Sequence, residues 1–131
     1  MENKIREILS KYNGTFGVII KDSFGNRVAI NEDKVFLSAS IIKLYILSCI
    51  SKLDYNKKII LKDKDKVEGN GLLKSLKSGV ELTIKDLAYF MICLSDNTAT
   101  NILIDYLGME NINNFLKNSG YCDTILGRKM M

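Results

Sequence analysis

Two short segments carry residues whose types and spacing could do covalent chemistry: Ser40-Ile41-Ile42-Lys43 and Ser95-Asp96-Asn97. A serine hydroxyl is a weak nucleophile until a base takes its proton. The chain contains no histidine. That removes Ser-His-Asp and Cys-His machinery and zinc sites of the usual imidazole type. Acid and base work falls to Lys, Tyr, Asp or Glu. In a helix, Lys43 lies one turn beyond Ser40 on the same face. A lysine in the first turn of an apolar helix is pushed toward its neutral form by the helix dipole and by desolvation. A neutral amine beside a hydroxyl is the base that such a nucleophile requires. The free N–H groups of the helix N-terminus could face the oxyanion of an acyl intermediate. A plain alternative stands beside this one, with Ser40 as an N-cap and Lys43 reaching solvent along its stem. Ser95-Asp96-Asn97 has the same two faces. These residue types commonly link and cap helices, yet a braced turn of this composition can point a hydroxyl and an amide into a cleft beside Ser40.

The elements that must position these groups follow from periodicity. Ile5, Ile8, Leu9 and Tyr12 form a helical stripe over Glu2 to Tyr12, ended by Asn13-Gly14. Thr15 to Lys21 and Arg27 to Asn31 read as two strands joined through Asp22-Ser23-Phe24-Gly25-Asn26, a β-hairpin. Apolar side chains alternate onto both of its faces, which predicts cover on both. Ser40 to Leu53 is apolar almost all round and reads as a helix buried in the middle of the domain. Lys57 to Gly79 gives a short extended Ile59-Ile60-Leu61, a charged loop and a helical turn at Leu72 to Leu76. Thr83 and Asp86 form a capping-box pattern opening a helix through Leu94. Two more helices follow, Thr98 to Leu107 stopped by Gly108 and Glu110 to Asn118 stopped by Gly120.

Composition sets the limits. The chain has 131 residues and a mass of 14.8 kDa, the size of one domain with a real core. Its 47% apolar and 26% charged residues are a globular balance. Net charge is +4, from 19 basic and 15 acidic side chains, and no basic stripe is interleaved with aromatics, so neither nucleic acid nor membrane is implied as a partner. The cysteines, Cys49, Cys93 and Cys122, are odd in number and form no Cys-x-x-Cys, which predicts free thiols. The N-terminus reads as no signal peptide and no stretch is long enough to span a bilayer, so the expected location is cytoplasmic. No metal or organic cofactor is implied.

The two segments together resemble class A β-lactamases and the related penicillin-binding serine hydrolases, whose signature joins Ser-x-x-Lys, Ser-Asp-Asn and Lys-Thr-Gly. Phe36-Leu37-Ser38-Ala39-Ser40-Ile41-Ile42-Lys43 is similar to the family's nucleophile segment. Leu94-Ser95-Asp96-Asn97-Thr98-Ala99-Thr100-Asn101-Ile102-Leu103 is similar to its second motif and the helix after it. The resemblance implies an α+β fold, in the complete family an α/β/α sandwich. Here it covers the N-terminal portion as a single domain over 1–131. Residues 1–35 would be the helix and hairpin of the sheet subdomain, and 36–131 the helical subdomain with the nucleophile. It implies Ser40 as the acylated nucleophile, Lys43 as its proton acceptor or relay and Ser95 as the donor toward the β-lactam nitrogen. Asn97 would hold Lys43 and a substrate carbonyl, and Asp96 would be structural. The substrate would be a small β-lactam or a peptide-like amide or ester.

The sequence departs from that pattern in two ways. No Lys-Thr-Gly occurs up to Met131, and the sheet strands that carry it are missing, so the expectation is a fragment with little hydrolysis of its own. Leu126-Gly127-Arg128-Lys129-Met130 resembles the start of the family's Ω-loop and places Met130 where a true β-lactamase has its deacylating glutamate. A thioether cannot activate water, which implies slow release of an acyl group. The alternatives are a slow acyl transferase or peptidase, or a non-catalytic interaction remnant. The hairpin is expected to leave Ile19, Val28 and Ile30 uncovered and to pair with a second copy or a C-terminal fragment.

Overall fold

Asp22 shapes the first turn of the chain. Its Oδ1 accepts the backbone N–H groups of Phe24 and Asn26, both at 2.9 Å, and Gly25 supplies the positive φ of 88° the turn needs. In the computed structural model, which describes residues 1–131, this turn joins β1 (Val18–Lys21) to β2 (Arg27–Ile30). The pair is antiparallel, with Val18 opposite Ile30 and Ile20 opposite Val28. Before it lies α1 (Glu2–Leu9), shorter than its apolar stripe predicts. Its end tightens into bonds from Lys11 N to Ile8 O and Tyr12 N to Leu9 O, and Tyr12 is left exposed. The expectation that Val28 and Ile30 would be uncovered is corrected, because both are buried. Ile19, on the opposite face, is 55% exposed.

The chain divides into two compact units, Met1–Leu37 and Ser38–Met131. The second begins with a 3₁₀ turn, Ala39–Ile41, running directly into α2 (Ile42–Ile50). Two features differ from expectation. Ser40 is not an N-cap but lies inside the 3₁₀ turn, where no side chain caps the helix. Nor is α2 buried all round. Ile42, Lys43, Ile46 and Ile50 point inward, while Ile41 and Leu44 are exposed.

A second antiparallel pair follows, β3 (Lys58–Ile60) with β4 (Glu81–Thr83), with Ile59 opposite Leu82. The run from Ile59 is extended as its β-branched residues predict, whereas β4 was hidden at the head of a helix signal. That helix, α3 (Ile84–Cys93), opens on the expected capping box. Asp86 N donates to Thr83 Oγ1 at 3.1 Å, and Thr83 N donates to Asp86 Oδ2 at 2.8 Å. Then come α4 (Asn97–Leu107) and α5 (Met109–Asn118), separated by Gly108 at φ 82°. Ile46, Ile50, Leu61, Leu73, Leu87, Met91, Leu103, Ile112 and Leu116 are among the fully buried residues of this unit's core. The core grips α3 and α4 from one side, and their connecting turn is Ser95-Asp96. No helix is long and apolar enough to cross a membrane, and all three cysteines are free thiols.

Candidate active site

The turn between α3 and α4 is held from within by one carboxylate. Asp96 caps α4 through Oδ1, which accepts Ala99 N at 2.8 Å, and its Oδ2 accepts Leu72 N at 2.6 Å and Leu73 N at 2.9 Å. Its side chain has no exposure to solvent. A buried carboxylate with three backbone donors is a rigid anchor, since each lost bond would strand a buried N–H. Gly71 makes the arrangement possible, because a Cβ there would lie 2.2 Å from the Asp96 carboxylate carbon. Thr98 Oγ1 accepts Val67 N at 3.1 Å, and Asn97 N donates to Asn70 O at 2.9 Å. Residues 67–73 are thereby fastened along the whole turn.

On that base the structure brings together four of the residues singled out by sequence. Ser40 Oγ and Ser95 Oγ are 2.9 Å apart, a hydrogen bond in which either can donate. Lys43 Nζ donates to Ser95 O at 2.7 Å, to Ser95 Oγ at 2.9 Å and to Asn97 Oδ1 at 3.0 Å. Lys43 does not reach solvent along its stem; it is 2% exposed. Burial pushes its amine below the ordinary pKa of 10.5, and the nearby Asp96 carboxylate opposes the shift only in part. The bonded path from Ser40 to Lys43 therefore runs through Ser95. The Asp96 carboxylate bonds to none of Ser40, Lys43 and Ser95 and holds the turn.

Two backbone conformations at this site are strained. Ala39 has φ 44° and Ser95 has φ 50°, a left-handed region costly for residues with a Cβ. The first aims the Ser40 hydroxyl and the second aims that of Ser95. Their positions immediately beside the two hydroxyls could not be read from residue type.

A further pair of residues went unnoticed in the sequence. Asn101, one turn along α4 from Asn97, clamps the backbone of Met130. Its Nδ2 donates to Met130 O at 3.0 Å and its Oδ1 accepts Met130 N at 2.8 Å. Asn113 on α5 does the same to Leu126, with bonds of 3.1 and 2.8 Å. The segment 126–130 is thus held at both ends by asparagine side chains. Gly69, Gly71 and Asn70 also escaped notice, although a Gly-x-Gly in a charged loop was a visible signal. Nowhere do three cysteine, aspartate or glutamate side chains gather in a way that could hold a metal ion.

Comparison with known proteins points the same way as this geometry. The chain is 34% identical over 132 residues to β-lactamase BRO-1 of Moraxella catarrhalis, covering 92% of this chain and 42% of that protein. It is 26% identical over 126 residues to β-lactamase SME-1 of Serratia marcescens, covering 89% and 42%. Among solved structures, a β-lactamase from Sphaerobacter thermophilus superposes with a TM-score of 0.79 at 36% identity, over 87% of this chain and 46% of that one. PBP-A superposes with a TM-score of 0.86 at 25% identity, over 98% and 52%, and a variant of it has been solved as an acyl-enzyme complex with penicillin G. The chain spans about half the length of the relatives it matches, and over that span its mostly helical architecture with small hairpins is that of the class A β-lactamase fold. A model described as the β-lactamase enzyme family matches residues 1–131, and a match over the whole sequence makes this chain a member of that family.

Proposed function

We propose that the protein is a serine hydrolase of the β-lactamase type that works through an acyl-enzyme on β-lactam or related amide and ester substrates. The observation that carries this reading is the continuous hydrogen-bonded chain Ser40–Ser95–Lys43, ending on a buried amine. In its neutral form Lys43 accepts the Ser95 proton while Ser95 accepts that of Ser40. Ser40 Oγ then bonds to the substrate carbonyl carbon as the C–N bond breaks. The leaving nitrogen takes a proton from Ser95, and Lys43 returns one to Ser95. Asn97 holds Lys43 through Oδ1 and offers Nδ2 to a substrate carbonyl. No proton in this cycle needs an imidazole. Penicillin G mixed with the protein should add its full mass at Ser40, read by intact mass and peptide mapping. Adduct retained in Ser40→Ala would place the nucleophile elsewhere.

Met130 favours a second reading for the later half of the cycle, a slow acyl transferase or peptidase of the penicillin-binding kind. Hydrolysis requires a base for water, and a thioether on the clamped 130 backbone supplies none. The acyl-enzyme is then long-lived. Met130→Glu should shorten the adduct lifetime by about 10²-fold or more, the usual scale of a positioned base. An unchanged lifetime would mean that residue 130 does not face the ester.

A further inference from the structure

Gly69 and Gly79 have nearly the same φ, +92° and +94°, in opposite surroundings. A Cβ on Gly79 would meet nothing within 4 Å. One on Gly69 would lie 2.4 Å from Asn97 Nδ2 and 3.2 Å from Met131 Sδ. The Asn97 amide therefore fills the volume that a side chain at 69 would take. Its setting there is specific. Asn97 Nδ2 donates to Glu68 O at 3.4 Å, the Asn97 backbone N–H donates to Asn70 O at 2.9 Å, and Asn97 Oδ1 is left 3.0 Å from Lys43 Nζ.

Gly71, two residues on, makes a useful contrast. A Cβ there would strike not only the Asp96 carboxylate but also Asp96 Cα, at 2.6 Å. That is backbone, and it cannot move without the turn. The neighbours of Gly69 are the ends of two flexible side chains. A side chain at 69 would be accommodated by swinging the Asn97 amide away from Lys43, with the turn still anchored by Asp96.

We propose that Gly69 is a positioning residue of this site: the missing side chain leaves the room in which the Asn97 amide is held toward Lys43. The geometric claim stands on the contacts alone, and only its kinetic consequence rests on the reading of Ser40 as the acylated nucleophile. With the amide displaced, Lys43 keeps two of its three acceptors, both on Ser95. Asp96, the charged group that acts on Lys43, is untouched. An ammonium that loses an acceptor gives up its proton more easily. A substrate carbonyl that relied on the same amide is misplaced, and displacement of about 1 Å can slow a reaction by about 10²-fold.

Gly69→Ala and Gly79→Ala each force an L side chain onto a positive φ of nearly the same size in the full 131-residue chain, so the second controls for strain. Lys43 is titrated in each by NMR of its side chain, and penicillin G acylation is timed by intact mass. Gly79→Ala should match the parent in both. In Gly69→Ala, Lys43 should titrate at lower pH and acylation should be slower by about 10²-fold. Identical Lys43 titration in the two variants overturns the proposal. If the parent itself is not acylated, the reading of Ser40 fails, and the titration still decides the role of Gly69. Should Gly69→Ala not fold, the parent decides the matter. A nuclear Overhauser contact between the Gly69 α-protons and the Asn97 side-chain amide supports the packing, and its absence refutes it.

Discussion

Asp22 and Asp96 each gather backbone N–H groups onto a carboxylate, in two regions that are built differently. Asp22 collects Phe24, Asn26 and the Asn26 side chain, all within four residues of it in the chain. Asp96 collects Ala99 from its own helix but Leu72 and Leu73 from more than twenty residues away. In the hairpin unit, order is local: one turn, one ladder and two buried side chains, Val28 and Ile30. In the helical unit, order is long-range, and every group of the candidate site hangs on it. Local order is inexpensive in loop entropy but gives little burial. Long-range order costs chain closure and is repaid by a dry interior in which a lysine can be neutral.

Removing each carboxylate is the strongest way to break this comparison. Asp96→Ala strands three backbone donors and should lower the stability of the helical unit by about 3 kcal/mol or more. Asp22→Ala should leave the unfolding transition of the helical unit where it is. Hydrogen exchange at the amides of Leu72, Leu73 and Ala99 reports the first, and at Phe24 and Asn26 the second. Similar losses in both units would show that Asp96 is no more than a turn former.

The two regions should also answer pH at opposite ends of the scale. Burial holds the Lys43 pKa below 10.5 in the folded chain, so between the folded value and 10.5 the unfolded state binds more protons. Stability therefore rises with pH through that window and then levels. Lys43→Met should abolish the rise, measured as urea midpoints between about pH 7 and pH 10. The Asn26 side chain, with the backbone N–H groups of the turn, holds the Asp22 carboxyl below its ordinary 3.8. Its contribution is present above 3.8 and is lost as pH falls through the folded value. An alkaline rise that survives in Lys43→Met would assign it to another group.

The smallest effect sharpens the contrast in backbone strain. Ala39 at φ 44° and Asn31 at φ 51° share a left-handed conformation, but asparagine tolerates it and alanine does not. Ala39→Gly should stabilise the helical unit by about 1 kcal/mol, seen as a higher urea midpoint. Asn31→Gly should gain nothing in the hairpin unit, since it also removes the 2.7 Å bond from Asn31 Nδ2 to Phe16 O. Equal gains would mean that the strain at Ala39 is relieved elsewhere.

Much of the site was legible because its motifs are short. Ser40 and Lys43 are one helical turn apart, and Ser95 to Asn97 are contiguous, so residue type and spacing sufficed to single them out. The capping box at Thr83 and Asp86 and the stops at Gly108 and Gly120 were equally local. What was not legible depends on partners far along the chain. The β4 strand exists because Leu82 faces Ile59, and its residues alone read as the approach to a helix. The 3₁₀ turn holding Ser40 replaced an expected helical cap, and α2 turned Ile41 and Leu44 outward against its uniform apolar pattern. Gly69 and Gly71 carry no local mark of their role, since nothing near them in sequence says that Asp96 and Asn97 lie against them. Val28 and Ile30 were expected to be open because strand periodicity assigns faces without saying what covers them.

The asparagine clamps give position 130 an unusual evolutionary freedom. Asn101 holds the main chain of residue 130 by its N–H and its C=O, atoms that every residue but proline possesses. The placement of the backbone is thereby fixed by groups other than the side chain, although the Met130 thioether also packs, half-buried, against the core. A lineage could exchange the residue there, thioether for carboxylate or the reverse, with the loop backbone still clamped and only the side-chain packing to be made good. On the proposed reading of Ser40, the residence time of an acyl group could then drift at this position while the main chain stays where it is.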